Sequence, residues 1–294
     1  MGELPSRLRS VLYMPGANQR ALQKATEIPA DGLILDLEDA VAPAQKPQAR
    51  ELACAAAASG GYGERVVTIR VNAAGTPWHE DDLRAVAQVA PDAVVLPKVD
   101  APADVLAAAR ALEAAGAPEK TRIWAMLETP RAVLGAAQIA AASERLAVLV
   151  LGTNDLVKEL YAEHLPGREP LLASLSLCVL AARAAGRQIL DGVYNDVRDL
   201  EGLARECRQG RALGFDGKTV IHPGQVAAAN AAFSPGEAEV QAALRVIAAF
   251  EQAQLGGAGV VVVDGRLVEN LHVESARRTL ELAGHQDPSF EQDS

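Results

Sequence analysis

Apolar residues along this chain fall into short continuous runs separated by mixed segments. The runs are residues 10–16 (SVLYMPG), 32–39 (GLILDLED), 65–72 (RVVTIRVN), 93–100 (AVVLPKVD), 122–129 (RIWAMLET), 146–155 (LAVLVLGTND), 187–194 (RQILDGVY) and 217–224 (GKTVIHPG). Most are rich in Val, Ile and Leu and suit strands buried on both faces. Between them lie alanine-rich stretches such as ADVLAAARALEAAG and PRAVLGAAQIAAASE, which suit helices. Strands alternating with helices predict a parallel sheet, and eight repeats in about 220 residues fit a (β/α)8 TIM barrel. A doubly wound open sheet shares the alternation, but no strand here leads into the GxGxxG turn of its dinucleotide-binding form.

Beyond residue 233 the pattern changes. Residues 235–255 read as one helix, GGAGVVVVDGRLVEN as a hairpin around Asp264-Gly265, and HVESARRTLELAG as a last helix. The expected organisation is a barrel over 1–233 and a C-terminal helix–hairpin–helix lid extension over 234–294. The extension reads as having little independent core, so it is expected to pack on the barrel or a neighbouring subunit. The closing HQDPSFEQDS is polar and expected to fray.

Composition narrows the function classes. Nearly half of the 294 residues are apolar and only 3% are aromatic, so Ala, Leu and Val must supply most of the packing. A net charge of −10 argues against a general nucleic-acid binder, while leaving room for a local basic pocket for a phosphorylated ligand. No run is long enough for a membrane span, and the first residues lack the apolar core of a secretion signal; the expected location is cytoplasmic. Cys54, Cys178 and Cys207 are too dispersed for a zinc knuckle and odd in number, and read as reduced thiols without a catalytic role.

Polar residues gather where the apolar runs end: Asp36, Glu38 and Asp39, then Arg70 and Asn72, Lys98, Glu128, and finally Asn154 and Asp155. In a barrel these positions meet at the C-terminal rim, where such folds build active sites. Glu128 and Asp155 are 27 residues apart, about one βα unit, and so fall on adjacent strand ends. Two converging carboxylates repel unless a cation joins them. An oxygen-only pair without a nearby histidine suits Mg2+, or Mn2+ of similar coordination chemistry, over zinc. Asp36, Glu38 and Asp39 then have room to contact metal-bound water.

Arg70 sits inside a β-branched run, where a charge is costly unless an anion meets it. The anion is either an internal carboxylate or the carboxylate of a ligand. Beside a divalent cation, its fork can hold a substrate carboxylate while the cation polarises an adjacent keto or hydroxyl oxygen. That arrangement points to carbon–carbon cleavage or condensation at a 2-oxo acid. Arg20 and Lys24 are spaced i,i+4 on the first helix, and Lys218 ends the eighth run. In a closed barrel strands one and eight are neighbours, so these cations either surround a phosphate or are solvated surface charge.

The stretches LYMPGANQRALQKA, DGLILDLEDAVAPAQKPQAR, IRVN, LPKV, GTNDL and GFDGKTVIHPGQV, in this order, resemble the HpcH/HpaI aldolase and citrate lyase β-subunit superfamily, most closely its citrate lyase β-subunit-like proteins and its malyl-CoA and citramalyl-CoA lyases. The resemblance runs from Ser10 to about Ala283. It implies a homotrimeric or trimer-based (β/α)8 enzyme that binds Mg2+ and a CoA or acyl-carrier-protein thioester together with a small 2-oxo acid. It further implies Arg70 as the grip on the oxo-acid carboxylate, Glu128 and Asp155 as metal ligands, and Glu38 and Asp39 as the supporting acidic pair. Arg20, Lys24 and Lys218 match positions near CoA phosphates, less closely. Where the CoA lyases carry a lid aspartate that handles the proton of the acetyl carbon, this chain has Glu269; where many relatives have an acid before the ligand aspartate, it has Asn154.

The leading expectation is therefore an Mg2+-dependent lyase that cleaves a malyl-CoA or citramalyl-CoA type thioester into a 2-oxo acid and an acyl-CoA. The alternatives are the citryl-thioester lyase subunit of a citrate lyase complex and a malyl-CoA thioesterase. An aldolase acting on free hydroxy acids would leave the basic cluster idle, and a non-catalytic scaffold would not require Arg70, Glu128 and Asp155 together.

Overall fold

The computed structural model describes residues 7–284. Residues 1–6, where a secretion signal was not expected, and the fraying expected for 285–294 lie outside the described residues. Eight parallel strands close into a barrel in sequence order: β1 (Ser10–Pro15), β2 (Gly32–Asp36), β3 (Val66–Arg70), β4 (Ala93–Leu96), β5 (Arg122–Leu127), β6 (Leu146–Leu151), β7 (Gln188–Asp191) and β8 (Gly217–Val220), with β8 returning to β1. The strands begin within a residue of the apolar runs but stop short of their ends. The polar residues that close each run have left the ladder and form the loops of the rim.

Side-chain alternation along the strands sorts the residues into two layers. Leu12, Leu33, Leu35, Ile69, Val94, Leu149 and Ile189 belong to the large core between sheet and helices. Val11, Ile34, Val95, Trp124, Met126, Val148, Val150 and Leu190 fill the inside of the barrel. On the inward parity the sequence climbs from apolar to charged: Ile34 to Asp36, Thr68 to Arg70, Met126 to Glu128. The charged member of each series is the last, at the mouth. Gly16 lets the first loop pass close to β2, since a Cβ there would lie 2.6 Å from the Asp36 carbonyl oxygen.

The chain divides into two compact units at Phe233 and Ser234. In the second, the helices Glu237–Leu255 and Asn270–Ala283 flank a hairpin of β9 (Val261–Val263) and β10 (Arg266–Val268). Asp264 and Gly265 both have positive φ, as the two-residue turn of a tight hairpin requires. The expectation that this unit lacks a core of its own is corrected: Val240, Ala243, Ile247 and Phe250 pack with Val268, Val273, Ala276 and Leu280. The buried residues are spaced three and four apart on both helices, which puts them on one face of each. Among the described residues no helix is long and apolar enough to cross a membrane.

Phe250→Ala is expected to destabilise the second unit by about 3–5 kcal/mol through the cavity it leaves. Hydrogen exchange should show amides of 237–283 losing protection while β1–β8 keep theirs.

Candidate active site

Arg70 is the residue around which the mouth is organised. Register pairs it directly with Asp36 on the neighbouring strand. Its Nε and Nη2 donate to the two oxygens of Asp36, both at 2.7 Å. Its Nη1 faces the other way, 2.9 Å from Glu38 Oε2 and 3.4 Å from Asp39 Oδ2. The ring of Tyr13 stacks on the guanidinium at 4.9 Å, and the Met126 sulfur lies 3.8 Å from Nη1. Burial works against the charge, but Asp36 outweighs it and holds Arg70 well above its ordinary pKa. Of the two partners open to Arg70, internal carboxylates are therefore present: Asp36 takes the Nε and Nη2 edge, and Glu38 and Asp39 lie against Nη1. Asp36 also accepts the backbone N–H of Glu38 and Ala40, so its oxygens are committed to Arg70 and the following loop instead of to metal-bound water.

Glu128 lies one residue beyond β5 and is almost fully buried. Its Oε1 accepts the backbone N–H of Lys98 at 2.6 Å. Its Oε2 lies against Gly152, where a Cβ would come within 2.3 Å of it; only glycine leaves that room. Burial pushes the carboxyl up to about 7, the Lys98 N–H opposes this, and the charges of Glu38 and Asp155 reinforce it. Asp155, in the first turn of the helix Thr153–Glu159, is thus close enough to be felt electrostatically. Glu38 is raised as well, by burial first, with Arg70 and Lys98 offsetting it.

These groups border a cavity of about 340 Å3 lined by Tyr13, Asp36, Asp39, Arg70, Met126, Glu128, Gly152, Asn154, Asp155, Val193 and Ile221, among others. Asn154 and Asn195 exchange hydrogen bonds at 3.0 and 2.9 Å and tie the loop after β6 to the loop after β7. Among the described residues no group of three or more His, Cys, Asp or Glu converges to hold a metal alone. Two carboxylates bordering one cavity, with water or ligand oxygens completing the shell, are what Mg2+ accepts. The residues fit that ion.

A family model described as HpcH/HpaI aldolase/citrate lyase matches residues 9–223, and one described as a C–C bond lyase of the TIM-barrel fold matches residues 171–285. The chain belongs to the HpcH/HpaI aldolase/citrate lyase family. It is 52% identical over 275 residues to a (3S)-malyl-CoA thioesterase of Cereibacter sphaeroides, covering 94% of both chains. It is 38% identical over 281 residues to citrate lyase subunit beta of Escherichia coli, covering 94% of this chain and 93% of that one. The structure of CitE from Mycobacterium tuberculosis in complex with magnesium, acetoacetate and coenzyme A matches with a TM-score of 0.79 at 33% identity, over 94% of this chain and 98% of that one.

In this family member the three basic residues expected near a phosphate do not meet. Arg20 and Lys24 are exposed on the helix Gln19–Lys24. Lys218 is not at the rim: it is fully buried, on the outward parity of β8, and its Nζ donates to Asp191 at 3.1 Å and to Glu206 at 2.7 Å. Arg168 shares Asp191 with two contacts of 2.7 and 2.9 Å. Burial opposes the Lys218 charge, but these acids outweigh it and raise its pKa. A lysine so enclosed neutralises Asp191 and Glu206 and is out of reach of a phosphate at the surface. Glu269 caps the helix Asn270–Ala283 from an exposed position in the second unit, its backbone N–H bonded to His272 Nδ1 at 3.0 Å.

Tyr13 and Lys98 contribute contacts that sequence reading had not assigned. Tyr13 carried a signal, being a rare aromatic on the inward parity of β1; nothing in the sequence marks the backbone of Lys98. The three cysteines are buried, and burial pushes Cys54 and Cys207 up to about 11 and Cys178 to about 12, which suits inert thiols.

Lys218→Ala removes one of the two cations that Asp191 and Glu206 share, leaving Arg168, and is expected to cost about 3 kcal/mol in denaturant unfolding. A phosphate-binding lysine on the surface would cost less than about 0.5 kcal/mol.

Proposed function

We propose that this chain is an Mg2+-dependent enzyme of the carbon–carbon-lyase type that acts on a CoA thioester of a hydroxydicarboxylic acid, and that its net reaction is hydrolysis of (3S)-malyl-CoA. The observation that carries the choice of reaction is the 52% identity to a (3S)-malyl-CoA thioesterase over 94% of both chains. It moves hydrolysis ahead of the cleavage reading that the sequence alone had favoured. In hydrolysis one water adds to the thioester carbonyl carbon, a C–O bond forms, the C–S bond breaks, and malate and the free CoA thiol result.

The roles follow from the donors and acceptors of the mouth. Glu128 and Asp155 hold Mg2+, which supplies positive charge to polarise oxygens of the bound acid. The Nη1 edge of Arg70 receives the free carboxylate, while Asp36 and the Tyr13 ring fix the plane of the guanidinium. Glu38 supports that edge from behind. Asp39, two-thirds exposed and on the cavity wall, is the acid free to orient water. Arg20 and Lys24 remain the candidates for CoA phosphates. Glu269 is proposed as the acid–base group of the lid, serving a neighbouring subunit in a homotrimer. Cleavage into glyoxylate and acetyl-CoA, or of a citryl thioester carried by CoA or an acyl carrier protein, is the second reading, favoured by the 38% identity to a citrate lyase β subunit.

Mass-resolved products from malyl-, citramalyl- and citryl-CoA with Mg2+ separate these readings. Free CoA with intact malate is expected. An oxo acid plus a shortened acyl-CoA as the stable products would replace hydrolysis by cleavage. Glu269→Gln is expected to lower turnover about 10²-fold, as loss of an acid–base group does, with Mg2+ affinity unchanged in calorimetry.

A further inference from the structure

Lys98 stands just past β4, in the segment Leu96-Pro97-Lys98-Val99, with φ +52. A residue with a side chain adopts this left-handed conformation only at a cost, and such residues gather where a site demands them. What the conformation achieves here is visible in the contacts. In an extended strand the backbone N–H lies in the sheet and points at a neighbouring strand. The left-handed step turns the Lys98 N–H onto a side chain instead, Glu128 Oε1 at 2.6 Å. The ladder resumes at once, for the Val99 N–H reaches the Met126 carbonyl at 3.3 Å.

The side chain of the same residue does a parallel thing. Its ammonium donates to Glu38 Oε1 at 2.7 Å. One oxygen of each acid is thereby tied to Lys98, and the direction of the other is set. The second oxygen of Glu128 lies against Gly152, three residues before Asp155. The second oxygen of Glu38 lies 2.9 Å from Arg70 Nη1. Lys98 is 44% exposed at its side chain and does not border the cavity, so its contacts reach the pocket only through these two acids.

We propose that Lys98 is a positioning residue for both halves of the site: its left-handed backbone aims Glu128 at the cation, and its ammonium aims Glu38 at the edge of Arg70 that takes the substrate carboxylate. The proposal rests on the reading of Glu128 and Asp155 as Mg2+ ligands. It also makes the two halves separable by substitution. Glycine adopts positive φ freely, so Lys98→Gly keeps the backbone clamp and removes only the ammonium. Valine resists positive φ, so Lys98→Val removes both.

The test is Mg2+ affinity by calorimetry, together with inhibition by glyoxylate as a probe of the Arg70 edge, in the full chain and both variants. Thermal unfolding checks that each variant is folded. Lys98→Gly is expected to bind Mg2+ within about 2-fold of the unsubstituted protein, and Lys98→Val at least about 10-fold more weakly, in the range seen when support behind a ligand is lost. Glyoxylate affinity at saturating Mg2+ is expected to fall about 10-fold in Lys98→Gly. A purely structural role would lower thermal stability in both variants without separating the two affinities, and would overturn the proposal. Unchanged Mg2+ affinity in Lys98→Val would overturn it too, while leaving the metal reading intact. Failure of the unsubstituted protein to bind Mg2+ would instead overturn the metal reading, and this proposal with it.

Discussion

A guanidinium at the mouth of the barrel, held by a carboxylate on the next strand, is the interaction on which the rest of the site depends. Arg70 and Asp36 are register partners, so closing the barrel brings them together without help from any loop. A charge so enclosed is tolerated only when its donors are matched, and removing one partner of such a pair costs about 3–5 kcal/mol. The match is one-sided by geometry: Asp36 takes the Nε edge, and the Nη1 edge is left facing Glu38, Asp39 and the cavity. From there a band of alternating charge continues around the rim, from Arg70 to Glu38, to Lys98, to Glu128. Each member fixes the next, which is how four titratable groups stay ordered where two strand ends alone would let them repel.

The same band joins fold to chemistry. Inward parity delivers Asp36, Arg70 and Glu128 to one end of the barrel, the loops after β2 and β4 add Glu38 and Lys98, and the first turn of the helix after β6 adds Asp155. Strands give the precise members and loops give the adaptable ones. Relatives named as a thioesterase and as a citrate lyase subunit match nearly the whole chain, at 52% and 38% identity. What separates the two outcomes is how water and a proton reach the thioester. In the roles proposed above, that depends on the reach of groups such as Glu269 and Asp39 more than on the Arg70–Asp36 pair.

Much of this was legible in the sequence. The eight apolar runs located eight strands, and the clustering of polar residues at their ends located the rim. Arg70 and Lys218 show where legibility stopped. Both are cations in short β-branched or mixed strands, and both looked like ligand-facing groups. Arg70 follows Val66 and Thr68 on the inward parity, while Lys218 sits in Gly-Lys-Thr-Val, a run too short and too mixed to betray its face. The acids that neutralise Lys218 come from β7 and from the helix Leu200–Leu213, 27 and 12 residues earlier, and no local pattern announces them. The core of the second unit was missed for a related reason: the spacing of three and four that gathers its buried residues on one face of each helix was not weighed. The left-handed turn at Lys98 is a backbone property and leaves no mark in residue type.

The central claim of the proposed function is that Arg70, oriented by Asp36, presents its Nη1 edge to a carboxylate beside a cation held by Glu128 and Asp155. A crystal structure with Mg2+ and malate tests it most directly. The expected density has one malate carboxylate on Arg70 Nη1 and the ion between Glu128 and Asp155, with the Arg70–Asp36 pair intact. A malate carboxylate bound away from Arg70, or an ion that leaves either acid unligated, would contradict it.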